Sequence, residues 1–533
     1  MSGTERDAVV VGAGFGGLYM LHRLRSAGFS TIAFEAGGDV GGTWYWNRYP
    51  GARCDVESLE YSYSFSPELE QEWEWTERYP AQPEILRYAE HVADRFDLRQ
   101  DIRFDTRVVA ATFDERASRW LVRTEPDGET SARFLVMATG CLSSANLPRI
   151  DGMDSFAGRI AHTGRWPHEG IDLRAKRVAV VGTGSSGVQA IPVIAEEAAE
   201  LFVFQRTPNY SIPARNGPLD PDLQREIKAH YREFRAANRL RPAGLGARWP
   251  IGDQSALEVP DEDVKRDLEE RWRIGGFAFL SGFTDFLKNR EANAKAAEFV
   301  KRRIREIVRD PTVAERLSPK QVIGCKRLCL DTRYFETFNR PNVHLVDVSE
   351  HPIERLTPRG LVAGGREYEV DVIVFATGYD AMTGSLTRID VRGRNGVALR
   401  DAWSAGPRTY LGLGVAGFPN LFTMTGPGSP SVLANVIVAI EQHVEWIADC
   451  LAYLRSRGYA TIEATVEAQD AWVDHVNAVA DATLYPTCNS WYLGANVPGK
   501  PRVFMPLIGF PPYVEKCNAV AAKDYEGFVL ARG

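Results

Sequence analysis

Apolar residues in this chain form short runs, and two of these runs lead into a glycine-rich stretch followed by helical spacing. The first covers residues 8–11 and the second covers residues 178–181. Runs of this length, bounded by turn residues, are typical of strands buried in a parallel sheet. Further apolar runs predict strands at 31–35, 134–140 and 370–375. The pattern predicts an α/β fold with two Rossmann-like units.

Residues 213–323 have a different pattern. They are rich in Lys, Arg, Glu and Ala, and apolar residues recur at helical spacing over 296–308. This predicts a helical insertion whose charged residues form solvated helix faces. A further helix is expected over about 430–455.

Composition and charge exclude several functions. At 533 residues the chain is too long for one core, so several domains are expected. The net charge of −7 and the pI near 5.9 argue against a nucleic-acid partner. Apolar runs fall short of the roughly 20 residues that span a bilayer, so no membrane association is expected. Charged residues lead directly into the first strand, so no signal peptide is expected.

The seven cysteines are scattered and include no C-x-x-C pair. This spacing does not predict a disulfide framework, and Cys54 and Cys325 are expected to pack rather than react. We therefore expect a reduced, cytoplasmic protein.

The runs at 8–11 and 178–181 each open a GxGxxG loop, whose glycines let the backbone approach a pyrophosphate at a helix N-terminus. The strand after the first loop ends in Glu35, whose carboxylate suits ribose hydroxyls. The strand after the second loop leads to Arg206, whose guanidinium suits a 2′-phosphate. FAD in the first site and NADPH in the second are therefore expected, and two plain packing turns are the alternative. The loop glycines are Gly12, Gly14, Gly16 and Gly17, then Gly182, Gly184 and Gly187.

Two longer motifs point to a family. Residues 156–167 follow F-x-G-x-x-x-H-x-x-x-W-P without a mismatch, and residues 41–55 read GGTWYWNRYPGARCD. With two glycine loops in the same order, the chain resembles the Baeyer–Villiger monooxygenases over nearly its whole length. The resemblance implies a flavoprotein that uses FAD, NADPH and O2.

The resemblance also implies a reaction. NADPH reduces FAD, the reduced flavin takes up O2 as a C4a-peroxide, and this species converts a ketone to an ester or lactone. Aryl, cyclic or steroid-like ketones are the expected substrates, with sulfoxidation as a side activity. No metal and no obligate protein partner are implied.

Two catalytic residues are carried over from the family. The oxygen anions of the reaction need a fixed cation in a site that excludes water. By resemblance Arg327 supplies that cation, and Asp55 orients its guanidinium.

Cofactor contacts are carried over in the same way. Lys326 is expected to join Arg206 and Thr207 on the 2′-phosphate, and Trp491 to contact the ribose beside the nicotinamide. The flavin positions beyond the glycines and Glu35 are Thr43, Trp44, Tyr45, Trp46, Arg53, Cys54, Asp55, Tyr61, Val108 and Val436. The other NADPH positions are Thr183, Ser185, Ser186, Val188, Gln189 and Arg327.

These positions suggest a division of the chain into three parts. The expected parts are an FAD-binding domain of residues 1–141 and 380–533, an NADPH-binding domain of 142–212 and 324–379, and the helical insertion 213–323.

Three other functions are alternatives. A flavin monooxygenase of amines or sulfides would share both glycine loops but lack the Trp-Pro motif ending and Arg327. A disulfide reductase would need the missing C-x-x-C pair, and an NADPH sensor would not need Arg327, Asp55 and Lys326. We interpret His162 as shaping a hinge between domains.

Two segments near the expected site are less regular. Residues 505–513 carry a single glycine where relatives are expected to have a Gly-Gly pair, and Pro511 and Pro512 are expected to stiffen the turn, which predicts an altered loop. Residues 428–433 are expected to line the substrate pocket. Glu441 and His443, in the helix that follows, are expected to be structural.

Overall fold

The structure is a computed structural model that describes residues 4–126, 128–502 and 508–532. Its first part forms most of a large sheet. The elements are β1 (Thr4–Val11), α1 (Phe15–Ser26), β2 (Thr31–Phe34), α2 (Thr43–Trp46), α3 (Pro67–Glu72), α4 (Gln82–Arg95), β3 (Ile102–Arg103), β4 (Arg107–Asp114), β5 (Arg119–Glu125) and β6 (Gly128–Met137).

Strand β1 lies between β2 and β6 and is parallel to both. Ala8 and Val10 pack into one hydrophobic core, whereas Val9 and Val11 pack into another on the opposite face. Burial on both faces explains why residues 8–11 form a continuous apolar run rather than an alternating one.

The middle of the chain holds a second sheet, the insertion and a small antiparallel sheet. The elements are β7 (Arg159–His162), β8 (Arg177–Val181), α5 (Ser185–Glu197), β9 (Glu200–Gln205), β10 (Ser211–Pro213), α6 (Pro221–Ala229), α7 (Tyr231–Arg239), α8 (Asp261–Ile274), α9 (Arg290–Ile307), α10 (Pro311–Leu317), β11 (Cys329–Asp331), α11 (Tyr334–Thr337), β12 (Val343–Asp347), β13 (Ile353–Thr357), β14 (Gly360–Ala363), β15 (Arg366–Glu369) and β16 (Val372–Phe375).

The second sheet has the strand order β12-β9-β8-β16-β7, and all of its pairs are parallel. The insertion supplies α6 to α10. It leaves and rejoins this part of the chain through β10 and β11, which pair with each other in parallel. This stem holds the residues just before β11, Lys326 and Arg327, beside the second sheet.

The chain then returns to the first sheet, where β17 pairs with β4 and β18 pairs with β6. The last elements are α12 (Gly384–Thr387), β17 (Asp390–Arg392), α13 (Leu399–Ala402), β18 (Leu421–Thr423), α14 (Val436–Arg457), β19 (Thr461–Ala464), α15 (Val466–Asp481), α16 (Phe510–Ala522) and β20 (Phe528–Ala531). Short 3₁₀ helices lie at Ser58–Glu60, Arg99–Asp101, Met153–Ser155, Thr163–Arg165, Phe277–Ser281, Arg394–Gly396, Ser431–Leu433, Tyr485–Thr487 and Trp491–Leu493.

The predicted α/β class with two Rossmann-like units is confirmed, while the predicted domain boundaries stay a prediction. The helix expected from 430 begins later, at Val436, because a 3₁₀ turn precedes it and the Asn435 side chain caps it by accepting from the Ile437 amide. No helix within the described residues is both long and apolar enough to cross a membrane.

The expectation about the cysteines is wrong at one pair. Cys325 and Cys488 form a disulfide, with Cα atoms 6.2 Å apart, so Cys325 does more than pack. The two residues are 163 positions apart, and only tertiary folding brings them together. The other cysteines, all buried and free, are Cys54, Cys141, Cys329, Cys450 and Cys517.

The irregular segment 505–513 is described only from residue 508 onward, and its first three residues lie outside the described residues. Gly509, with φ 88°, precedes α16, and both prolines fall in the first turn of that helix. Proline is tolerated there because the first helical amides have no partner within the helix. The prolines therefore start a helix instead of stiffening a loop.

Candidate active site

A cavity of about 2140 Å³ is lined by both glycine loops and by the ends of β1 and β8. Ligands of open α/β sheets bind at the carboxyl ends of the strands, where this cavity lies. It is large enough for two dinucleotides side by side, since binding pockets for single small molecules measure roughly 300–1,000 Å³.

The first loop is closed by contacts that only glycine allows. Gly12 has φ 106°, and a Cβ atom there would lie 2.6 Å from the carbonyl oxygen of Ala138. A Cβ on Gly17 would lie 1.9 Å from the Gly12 carbonyl oxygen. The loop backbone therefore lies tight against the end of β6 and leaves the N-terminus of α1 facing the cavity.

Glu35 stands at the end of β2, on the cavity wall, and is only 6% exposed. Its Oε2 accepts from the Ala13 amide and its Oε1 from the Gly37 amide, both at 2.8 Å. Burial raises the pKa of Glu35, and the two amides act in the opposite direction. The carboxylate is thus fixed in orientation, with lone pairs left to accept hydroxyl protons from a ribose.

The tryptophan-rich segment 41–55 forms the wall opposite the first loop. Gly42 approaches Gly14 so closely that a Cβ there would lie 2.8 Å from the Gly14 Cα. Trp44 is buried and donates from Nε1 to the Tyr61 hydroxyl at 3.1 Å. The two rings meet edge to face, at an interplanar angle of 84°, and both line the cavity.

The second loop repeats the first at the end of β8. Gly182 has φ 111°, and a Cβ on Gly187 would lie 2.2 Å from the Gly182 carbonyl oxygen. Gly184, by contrast, has no described atom within 4 Å of an added Cβ, because it faces the open cavity. That opening is where a pyrophosphate would approach the α5 N-terminus.

Two cations stand beside the second loop. Arg206 and Lys326 both line the cavity. Burial and the neighbouring Arg206 lower the pKa of Lys326. Within the described ranges, neither side chain is in an ion pair. Two like charges held together without a carboxylate form a site for an anion such as a 2′-phosphate.

Arg327 and Asp55 meet between the two loops. Arg327 donates from Nε to Asp55 Oδ2 at 2.7 Å and from Nη2 to Oδ1 at 2.8 Å. Its Nη1 donates to the Val432 carbonyl at 2.7 Å. Burial acts to lower the pKa of Arg327, but Asp55 and Tyr492 outweigh it and raise the pKa well above its ordinary value. The guanidinium therefore stays charged in a fixed orientation.

Hydrogen bonds join the walls that carry the two loops. Gln189 on α5 accepts from the Tyr49 hydroxyl at 2.8 Å and donates to the Arg53 carbonyl at 3.1 Å. The Tyr379 hydroxyl donates to the Asn47 side chain. Segment 41–55 is thus tied both to α5, through Gln189, and to Tyr379, which follows β16.

Most of the residues expected from the sequence line the cavity. Those that do are Gly12, Gly14, Gly16, Glu35, Thr43, Trp44, Trp46, Arg53, Cys54, Asp55, Tyr61, Val108, Gly182, Thr183, Gly184, Ser185, Ser186, Gln189, Arg206, Thr207, Lys326, Arg327, Val436 and Trp491.

Four expected residues do not line it. Gly17 and Gly187 lie beneath their loops, where they allow close packing of helix against strand. Val188 is fully buried in the core under the second sheet. The Tyr45 hydroxyl accepts from the Gly38 amide at 3.0 Å. These residues shape the walls rather than touch the cavity.

Two aromatic neighbours of Arg327 were not predicted from the sequence. The Phe277 ring, from the insertion, lies 5.1 Å from the guanidinium carbon. Tyr492 lies near the same guanidinium and acts to raise the pKa of Arg327. Tyr492 follows Trp491 directly and could have been found from that position, whereas nothing in the sequence marks Phe277.

His162 and His443 are both buried, and each makes hydrogen bonds to neighbouring groups of the protein. His162 is 6% exposed, and its Nδ1 accepts from the Gly164 amide at 3.0 Å. Burial, with help from Arg165, lowers its pKa to about 4. His443 bonds the Thr425 amide and the Tyr513 hydroxyl, and burial lowers its pKa to about 3.

The fold and the site define an oxidoreductase built to hold two nucleotides. The sequence family described as pyridine nucleotide-disulphide oxidoreductase matches residues 9–241. A Baeyer-Villiger monooxygenase of Pseudooceanicola batsensis is 43% identical, covering 99% of this chain and 97% of its own. A phenazine N-monooxygenase of Lysobacter antibioticus is 40% identical, covering 99% and 97%.

The chain is also similar to a solved structure. Oxidized steroid monooxygenase bound to NADP is 55% identical, with a TM-score of 0.95, and covers 99% of this chain and 100% of that chain. The chain belongs to the Baeyer–Villiger monooxygenase family.

Proposed function

We propose that the chain is an FAD-containing, NADPH-dependent Baeyer–Villiger monooxygenase that converts ketones to esters or lactones. The observation that carries the proposal is the placement of the Arg327–Asp55 pair in one cavity with both glycine loops. A fixed cation at that point suits the oxygen anions that form when a carbonyl is attacked.

The first loop and its surroundings fit FAD. Gly12 and Gly14 present the α1 N-terminus to the pyrophosphate, and Glu35 accepts from the ribose hydroxyls. Trp44 and Tyr61 would flank the ring system. Bound there, FAD supplies the hydride acceptance and O2 activation that no side chain can provide.

The second loop fits NADPH. Gly184 leaves room for the pyrophosphate, while Arg206 and Lys326 would take the 2′-phosphate. Trp491 lines the same cavity and would contact the nicotinamide ribose. We expect NADPH to bind more tightly than NADH, because NADH lacks the 2′-phosphate that these two cations would contact.

Arg327 would act on the substrate oxygen. Asp55 and the Val432 carbonyl occupy three of the five N–H groups of its guanidinium. The protein thus anchors the group in advance and leaves donor capacity for a developing oxyanion. Because its pKa is raised, Arg327 cannot serve as a proton donor near neutral pH, so its role is electrostatic.

The residues expected to set substrate range surround this point. Val432 and Leu433 pack against the cluster that contains Met382 and Tyr492. This apolar wall beside Arg327 suits the hydrocarbon part of a ketone, with the carbonyl directed to the guanidinium. We infer that aryl, cyclic or steroid-like ketones are accepted.

Oxygenation of nitrogen or sulfur is a second activity worth testing, because one relative is named as an N-monooxygenase. A disulfide reductase is disfavoured by the geometry. Cys54 and Cys141, within the matched 9–241 region, are both free, and the Cys325–Cys488 pair lies outside it.

We further propose that one chain suffices for the reaction and that it acts in the cytoplasm. Both glycine loops, Arg327 and Asp55 line one cavity within a single chain. NADPH is regenerated by intracellular metabolism, which favours that compartment. Turnover by the purified chain alone tests the first point, and cell fractionation tests the second.

Product analysis tests the function. The purified protein, loaded with FAD, is given NADPH, labelled O2 and a panel of phenylacetone, a cyclic ketone, a 20-keto steroid and a thioether. An ester or lactone carrying one labelled oxygen atom is the expected product. Sulfoxide as the sole product would move the assignment to the second activity, and NADPH consumption yielding only hydrogen peroxide from every ketone would contradict the proposal.

A further inference from the structure

Cys325 and Cys488 connect two segments that both form walls of the cavity. Cys325 is followed directly by Lys326 and Arg327, and both of these line the cavity. Cys488 is followed by Asn489 and, two residues later, Trp491, which line it as well. The disulfide therefore joins the turn that carries the cations to the segment that carries the tryptophan.

We propose that Cys325 and Cys488 form a reversible thiol–disulfide pair that fastens segment 484–500 onto the Arg327 turn. The Cα atoms lie 6.2 Å apart, within the range of native disulfides. Both segments are in place for bond formation without movement of the backbone.

The turn on the Cys325 side is rigid. Asn293 on α9 donates to the Ile323 carbonyl at 2.9 Å and accepts from the Ile323 amide at 3.1 Å. Gly324 has φ 85°, and an added Cβ would lie 2.5 Å from Leu287. Arg327 is held by Asp55 at the other end of the turn. Cys325 is therefore a fixed anchor.

Segment 484–500 is held mainly at its ends. The Leu484 amide donates to the Leu287 carbonyl at 2.9 Å. Asn496 donates to the Tyr379 carbonyl at 2.8 Å, and Lys500 donates to Asp380 at 2.5 Å. The disulfide attaches the segment between these anchors.

The middle of the segment has few other attachments. The backbone amides of Thr487, Leu493, Gly494 and Ala495 all donate within the segment itself. Tyr492 reaches outward to Arg327. Without the disulfide, Trp491 would rely on apolar packing to hold its place.

The two sulfur atoms differ in access. Cys488 is partly exposed, whereas Cys325 is 1% exposed. A peroxide would therefore oxidise the Cys488 thiol first, giving a sulfenic acid and one water. The Cys325 thiol would then displace the second water and close the S–S bond, so two thiols and one H2O2 yield one disulfide and two H2O. A dithiol returns both thiols by exchange and is itself oxidised to a disulfide.

Selectivity comes from burial. Cys329 and Cys450 are buried. Burial raises the pKa of the Cys329 thiol to about 12 and raises the pKa of the Cys450 thiol further. Thiols that do not ionise react slowly with peroxides and disulfides. The proposed pair contains Cys488, which is partly exposed, whereas the other cysteines among the described residues are buried.

The consequence for NADPH rests on the proposed function. With the bond closed, Trp491 is already held in place on the cavity wall. With the bond open, ordering its side chain costs about 1 kcal/mol on binding, which corresponds to roughly fivefold weaker affinity. The disulfide state would thus set the affinity for the nicotinamide nucleotide.

Peptide mass spectrometry and hydrogen exchange test the pair without turnover. Protein purified without reductant should yield a linked Cys325–Cys488 peptide that a dithiol removes and H2O2 restores. Amide exchange in peptides covering 484–500 should rise on reduction in the wild type but not in Cys488→Ser, which should resemble the reduced protein throughout. Cys450→Ser, in the middle of α14, is the matched control and should behave as the wild type.

NADP+ titration adds a second readout. Reduction should weaken NADP+ binding about fivefold in the wild type and leave Cys488→Ser unchanged. Absence of the linked peptide before and after H2O2, or equal exchange in both redox states, would overturn the proposal. Unequal exchange with no NADP+ binding in either state would support the redox pair and contradict the proposed function instead.

Discussion

At Arg327 three partners fix one side chain, and they come from distant parts of the chain. Asp55 belongs to the tryptophan-rich motif, Val432 to the loop before α14, and Phe277 to the insertion. A bidentate carboxylate contact fixes the plane of the guanidinium and stabilises its positive charge. Lysine, a point charge without that plane, cannot reproduce the arrangement.

Replacing Arg327 tests its role directly. In Arg327→Ala, NADPH should still reduce the flavin, since hydride transfer does not need this cation. Ester formation should fall about 100- to 1000-fold, as for loss of other preorganised donors. Anaerobic stopped-flow spectroscopy follows the first step, and chromatography of the ester follows the second.

Arg309→Ala, at an exposed position after α9, is the control and should leave both steps unchanged. Wild-type ester yield from Arg327→Ala would show that the cation is dispensable.

Arg206 is expected to decide between the two nicotinamide cofactors. Removing a charge-assisted contact to the 2′-phosphate should raise the KM for NADPH about 10- to 100-fold. The KM for NADH should hardly change, since NADH has no 2′-phosphate. Steady-state kinetics of Arg206→Ala with both cofactors makes the comparison, and equal changes in both KM values would rule out the assignment.

At the scale of elements, the strand–loop–helix unit occurs twice with the same internal contacts. In both, the last glycine packs against the carbonyl of the first, at 1.9 Å for an added Cβ on Gly17 and 2.2 Å on Gly187. Apolar runs and glycine spacing sufficed to predict these units. The sequence did not distinguish glycines that serve packing from glycines that face the ligand.

A matched pair of variants separates these two roles. Gly187→Ala should lower thermal stability, because its Cβ meets the Gly182 backbone. Gly184→Ala should fold normally, since no described atom lies within 4 Å of its Cβ, but should weaken NADP+ binding by obstructing the pyrophosphate. Thermal melts and NADP+ titrations read out the two effects, and a binding defect of equal size without instability in both variants would contradict this division.

At the scale of the whole molecule, the insertion docks on the first part of the chain through buried polar groups. Glu60, 2% exposed, accepts from the Gly246 amide at 3.0 Å. Arg235 on α7 donates to the Glu60 carbonyl at 3.1 Å. Glu57 lies nearby and pairs with Arg78 and Arg248. Tyr61, which follows Glu60 directly, lines the cavity, so this interface lies next to the cavity wall.

Stability should depend on pH through Glu60. Burial and the neighbouring Glu57 raise its pKa to about 7. Below the unfolded pKa the carboxyl is neutral in both states. Between that value and about 7 the folded state keeps a proton that the unfolded state has lost, so stability falls as pH rises and levels off above about 7.

Glu60→Gln removes this pH-dependent cost and keeps the acceptor for Gly246. It should raise the Tm at pH 8 by about 1–3 °C and leave it unchanged at pH 4. Calorimetry at both pH values provides the measurement, with Glu226→Gln at an exposed site of α6 as the control. A lower Tm at pH 8 would mean that the charged form is stabilised by its surroundings.

Features of this protein that depend on residues close together in the chain can be predicted without the folded structure. Apolar runs and glycine spacing predict the strands and the turns, and Glu35 and Arg206 mark the expected ribose-side positions, all within a few dozen residues of each loop. The family motifs added Arg327 and Asp55 as partners. Such features are readable because their physical causes, burial on both faces and backbone freedom, act between near neighbours.

Other features arise only where segments that are distant in the chain meet in the folded protein. The bidentate contact of Arg327 with Asp55, the Phe277 ring beneath it and the Cys325–Cys488 bond each join positions far apart in the chain. The spacing of residues along the chain does not predict such pairs, because they meet only when the insertion and the returning strands pack against the rest of the protein. The same packing placed Val188 in the core and Gly184 at the open cavity, although only three residues separate them in the chain.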